Sequence, residues 1–95
     1  MPAHPSGAES IDFDEGNESE LARHRITLSE VMQIALNDPT WAPNKKGRAA
    51  TWIAVGYTDG GRALTIPMLY DGRRRVLRPI TGWDCSEAER ARYLK

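Results

Sequence analysis

The sequence predicts a small α+β domain: an antiparallel sheet with two short helices before it and one after, in the order β-α-α-β-β-β-α. Three observations predict it. Thr51–Thr81 reads as three strands joined by two glycine turns, Thr27-Leu28-Ser29-Glu30 opens an amphipathic helix, and Asp84–Tyr93 carries helix-start signals toward the end of the chain. Ninety-five residues make a single domain with a modest core, which a partner or a dimer would help to stabilise.

Met1–Ser10 holds Pro, Gly, Ala and Ser with few large apolar groups and is expected as a disordered tail, leaving residues 11–95 as the folded domain. Ile11-Asp12-Phe13-Asp14 alternates apolar and acidic residues, as a short edge strand does. Asn17 is the expected cap of a first helix, about Glu18–His24, with Glu20 three positions on to answer it. The second helix has a stronger start. Thr27 and Glu30 form a capping box, Ile26 and Val31 sit at staple spacing, and Val31, Ile34 and Ala35 make a helical stripe that Asn37-Asp38-Pro39 ends. Pro39–Arg48 reads as a loop in which Trp41 stands beside Lys45, Lys46 and Arg48. That ring is either a plug for the core or a stacking surface for a base whose phosphates the cations take.

Within the sheet, Asp59-Gly60-Gly61 and Asp71-Gly72 supply the turns. Leu64, Ile66, Met68 and Tyr70 alternate onto one face, and Pro67, with no amide hydrogen to donate, requires the middle strand to be bulged or open on that side. Val76, Leu77 and Ile80 mark the third strand. Alternation puts Arg74 and Arg78 on one of its faces and Arg73 and Arg75 on the other, so it is either a phosphate-binding surface or a charged edge that blocks aggregation. Asp84 and Ser86 both qualify as caps of the final helix, with Glu87 and Glu89 in the matching positions.

The net charge of zero conceals a division. Residues 1–20 carry six acidic groups and no Lys or Arg, while the rest carries thirteen basic and seven acidic groups, so an acidic leader precedes a basic body and can lie across it. No apolar run approaches the roughly 18 residues of a membrane span, and the start lacks a signal peptide's basic and apolar blocks. Cys85 is the only cysteine, which excludes an intrachain disulfide and fits a reducing compartment, so a cytoplasmic protein is expected. His4, His24 and Cys85 are too few and too scattered for a zinc site, and no phosphate-loop motif is present; no metal or cofactor is implied.

Particular residues add a resemblance. Ile11-Asp12-Phe13-Asp14-Glu15-Gly16-Asn17 is followed by Arg23-His24-Arg25-Ile26-Thr27, then Gly56-Tyr57-Thr58, Gly61-Arg62 and Tyr70, then Arg78-Pro79-Ile80-Thr81 and Ser86-Glu87-Ala88-Glu89-Arg90-Ala91-Arg92-Tyr93. This ordered set resembles the BrnT family of bacterial toxins, RelE-like ribonucleases, over roughly residues 11–94. Trp83 stands where that family closes a Ser-Ala-Arg run, Arg25 where glycine is usual, and Thr51 where arginine is frequent. The resemblance implies a RelE-like fold and the toxin of a type II toxin-antitoxin system: a metal-independent endoribonuclease that cuts RNA to arrest growth. It also implies a cognate ribbon-helix-helix antitoxin, contact with operator DNA only through that complex, and no membrane. Cleavage through a 2′-hydroxyl needs a proton acceptor, a proton donor and cations around the phosphate. His24, Arg78, Glu89, Arg90 and Tyr93 are the implied catalytic set, with Arg23, Lys45, Lys46, Arg48, Arg62 and Arg74 as RNA contacts. Each has a structural rival, and the lost arginines favour an alternative: a toxin-like binding module without catalysis that acts through protein contacts or co-repression.

Overall fold

Capping chemistry decides where the helices begin in the computed structural model, which describes residues 4–47 and 50–94. Asp14, not Asn17, caps α1 (Glu15–Arg23): the Asp14 carboxylate accepts from the Asn17 amide, and the Asn17 side chain accepts from the Asp14 amide, both at 2.9 Å. In that third position the Asn17 side-chain nitrogen also donates to the Asp12 carbonyl, so both ends of this buried amide are bonded. Helix α1 ends in a Schellman turn. The Ile26 amide returns to the Leu21 carbonyl and the Arg25 amide to Ala22, with Arg25 in the left-handed region at φ 58°. Helix α2 (Leu28–Leu36) starts at Thr27 with the expected reciprocal bonds to Glu30, and Ile26 and Val31 are both buried.

Six strands form one mixed sheet: β1 (Ser10–Ile11), β2 (Thr40–Pro43), β3 (Trp52–Tyr57), β4 (Ala63–Asp71), β5 (Val76–Pro79) and β6 (Trp83–Asp84). Their order is β1-β5-β4-β3-β2, with β6 also on β4; every pairing is antiparallel except β1 with β5. With α3 (Glu87–Tyr93) the chain is α+β, and its arrangement is consistent with a RelE-like fold.

Several details depart from the expected β-α-α-β-β-β-α order. Thr40–Pro43 is an edge strand rather than loop, with Trp41 opposite Ala54; prolines at 39 and 43 are tolerated because an edge leaves one side of the backbone unpaired. Arg73, Arg74 and Arg75 lie in the turn that Asp71 closes by accepting from the amides of Arg73 and Arg74, so they do not alternate along β5. Residues 4–10, expected within the tail, lie against the body: Pro5 is buried in a 3-10 turn and the His4 ring meets Trp52 edge-on at 5.2 Å. Pro67 acts as its chemistry requires. It stays in register with Ile53 on β3, while on its other side its carbonyl accepts from Ile80 and β4 has no ladder partner between Pro79 and Trp83. That gap is what separates β5 from β6.

The core lies between the helices and one sheet face, where Leu21, Ile26, Val31 and Ile34 pack on Ala54, Leu64, Ile66, Met68 and Leu77. Trp41 packs against the edge of this cluster, which favours the core plug over an exposed stacking ring. No helix among the described residues is long and apolar enough to cross a membrane.

Candidate functional site

Strand alternation turns Ile53, Thr65 and Pro67 away from the core face. Over them, α3 and the segment after β2 enclose a hollow of about 550 Å³. Its walls include Trp83 and Tyr93, its rim carries Lys45 and Arg92, and Ile80, Thr81, Ala88 and Glu89 complete one side. Residues 88, 89, 92 and 93 share one helical face, which is why this part of α3 and not Arg90 fronts the hollow. The helix is held by few contacts: Ser86 and Glu89 form its capping box, and the Thr40 hydroxyl donates to the Tyr93 carbonyl at 2.8 Å.

The expected catalytic set divides. Glu89 and Tyr93 line the hollow; His24, Arg78 and Arg90 do not. Glu89 is already occupied, accepting from the Ser86 amide at 2.9 Å and from the Trp83 indole nitrogen at 3.1 Å. His24 sits at the end of α1 with Nε2 3.2 Å from Glu20, and the Thr81 hydroxyl donates to the same Glu20 oxygen at 2.7 Å. That Thr81 bond, chiefly, with His24 and Arg23 adding to it, holds the Glu20 carboxyl below its ordinary range against the opposing effect of desolvation. Arg78 is paired with Asp14 and Asp12 on the leader side; the Asp14 hydrogen bond lowers the acid and raises the guanidinium. Arg90 lies off the hollow, and its charge helps to lower Asp84 and to oppose the rise of the Cys85 thiol.

The expected RNA contacts divide as well. Lys45 is at the hollow. Arg23 pairs with Glu20 at 3.1 Å on an exposed helix face, Lys46 is exposed in the turn after β2, and Arg48 lies outside the described residues. Arg74 is in the turn after β4. Arg62 is a strut rather than a free contact: it donates to Asp84 at 2.8 Å, to both Glu30 oxygens at 3.1 Å and to the Arg25 carbonyl at 2.7 Å. The two carboxylates, Asp84 first and then Glu30, raise its pKa beyond the ordinary arginine value against the opposing effect of desolvation.

Two wall residues were not among the expected contacts. Arg92 lies with its guanidinium 5.4 Å from the centre of the Tyr93 ring, and Trp83 stands where the resemblance expects arginine. The four-residue spacings of Ala88 with Arg92 and Glu89 with Tyr93 were legible in the sequence and point to this shared face.

No family model matches the chain, and no solved structure matches it. Among curated proteins it is similar to 2-isopropylmalate synthase of Corynebacterium efficiens, 37% identical over 60 residues, a stretch covering 63% of this chain and 10% of that protein. The chain thus spans about a tenth of the curated relative it matches, and the reaction in that protein's name is not carried to this chain.

Proposed function

We propose that this chain is a toxin-like binding module whose hollow holds a stretch of single-stranded RNA and which acts by occupancy rather than by cleavage. The observation that carries this reading is the grouping of Trp83, Tyr93, Lys45 and Arg92 around one apolar hollow. Aromatic walls stack any base, and cations at the rim meet the phosphates. Cleavage is the less supported reading because its proton-transfer groups are engaged: Glu89 holds a helix cap and an indole, and His24 leans on Glu20.

One feature favours the ribonuclease reading. Glu89 and Tyr93 reach the hollow together, and Thr81 on the same wall leads through Glu20 to His24. Rearrangement on binding RNA would then free a base. Both readings keep a ribbon-helix-helix antitoxin as protein partner, and a neighbouring reading frame encoding no such protein counts against it.

Induced expression separates the two. Binding without cleavage leaves total RNA intact, and Lys45→Gln with Arg92→Gln weakens oligouridylate binding by about tenfold. Growth arrest with RNA loss, abolished by His24→Ala or Arg90→Ala in folded protein, would replace the binding reading with the ribonuclease.

A further inference from the structure

The parallel register that sets Ser10 against Val76 and Ile11 against Leu77 also sets an acid of the leader beside Arg75, the last residue of the turn before β5, and beside Arg78 within β5. Glu9 reaches Arg75 at 3.5 Å, and Asp12 reaches Arg78 at 3.7 Å, where Asp14 joins it. Arg73 and Arg74 flank the same turn and form no ion pair among the described residues. The Arg75 carbonyl accepts from the amides of Glu9 and Ser10, so the leader is stitched to the turn by backbone as well as by charge.

These pairs are exposed. Side-chain exposure is 60% and 67% for Arg75 and Glu9, and 37% and 54% for Arg78 and Asp12. Solvated pairs of this kind contribute little each and exchange partners readily. Carboxylates and phosphates present similar acceptor pairs to a guanidinium fork, so what holds these arginines now is chemically a substitute for a phosphodiester. The acidic leader thus competes with an outside polyanion for the cations of the basic turn and of β5.

We propose that Arg73, Arg74, Arg75 and Arg78 form a phosphate-binding site for single-stranded nucleic acid, and that Glu9, Asp12 and Asp14 occupy it in the free protein as a displaceable competitor. The inference rests on the RNA-contacting reading and adds a second, self-masked patch to it. The hollow supplies the stacking, and the β5 turn supplies backbone contact that opens only when the leader's carboxylates give way.

The test is fluorescence anisotropy with a short labelled oligouridylate at low salt. Glu9→Gln, Asp12→Asn and Asp14→Asn together remove the mask, and Asn at 14 retains the helix cap. Glu18→Gln, Asp38→Asn and Glu87→Gln remove equal charge elsewhere. The expected result is about a tenfold gain for the first variant and a much smaller one for the second, since general attraction alone acts through screened distance. Adding Arg75→Gln and Arg78→Gln to the unmasked protein should cancel the gain. Equal gains in both charge variants, or a gain that survives loss of the two arginines, would overturn the mask. The hollow is tested apart from it. If only the hollow reading fails, Lys45→Gln with Arg92→Gln leaves affinity unchanged while unmasking still raises it; absence of binding by every variant sinks both.

Discussion

Arg25 and Arg62 meet at one carbonyl, and each carries a consequence that a substitution reads out. Arg25 holds the left-handed position of the Schellman turn, a conformation that costs a residue with a Cβ and suits glycine. Arg25→Gly should therefore stabilise the protein by about 0.5–1 kcal/mol, the released strain exceeding glycine's entropy cost, as a rise in the denaturation midpoint. Arg62 is the opposite case. Its truncation to alanine leaves the Arg25 carbonyl without this donor and the mostly buried Glu30 with only Thr27 as its partner, and should cost about 2 kcal/mol. Lysine should recover only part of it, because one ammonium cannot span Glu30 and Asp84 as the fork does. Gly82 is constrained by packing: a Cβ there would stand 2.6 Å from Ile66 Cδ1 and 3.0 Å from Ile26 Cδ1, both in the core. Gly82→Ala should cost about 1–2 kcal/mol, measured by urea titration.

Among the elements, α3 is the one held most lightly. No residue of it is buried, and its start depends on the Ser86–Glu89 box. Ser86→Ala should cost α3 about 1 kcal/mol of local stability, seen as faster hydrogen exchange at the amides of Glu89 and Arg90, while the amides of β3 and β4 keep their protection. Exchange that rises equally in the central strands would mean that α3 unfolds only with the whole domain. The β5–β6 break has a different origin. Pro67 removes a single donor, and the strand opposite loops out at residues 80–82, which carries Thr81 and Trp83 to the hollow. A missing hydrogen bond in the middle of the sheet thereby positions part of the site.

Across the whole molecule, carboxylates bind leader, helices and last strand together. Asp14, Glu20, Glu30 and Asp84 all have folded pKa values below their ordinary values of 3.8 for Asp and 4.5 for Glu. For Glu30 desolvation opposes the shift, and the Thr27 amide and Arg62 outweigh it. A depressed carboxyl contributes stability above its unfolded pKa and loses it as pH falls through the lower folded value. The melting temperature should thus be flat from neutral pH to about 5 and drop below that. Arg62→Ala should soften this acid limb, and an unchanged limb would assign it to the other carboxylates.

Local chemistry was enough to read the α+β class, the Thr27 cap, the turns at Asp59-Gly60-Gly61 and Asp71-Gly72, and the interruption at Pro67, because each depends on neighbours in sequence; between Asp84 and Ser86 as cap of α3 it left the choice open, and the structure takes Ser86. Glu89 and Tyr93, which the resemblance implied for catalysis, and Lys45, expected as an RNA contact, line one hollow. Local chemistry did not separate Arg62 from Arg74, or show that Arg78 would be taken by Asp14, since identical guanidiniums differ only in what folding brings beside them. Which cations are free, and which acids already hold them, is settled by contacts between distant residues: Arg62 with Glu30 and Asp84, Arg78 with Asp12 and Asp14. Residue types and spacing set the elements, and tertiary structure alone paired the charges, because a Coulomb partner is chosen by distance in space and not along the chain.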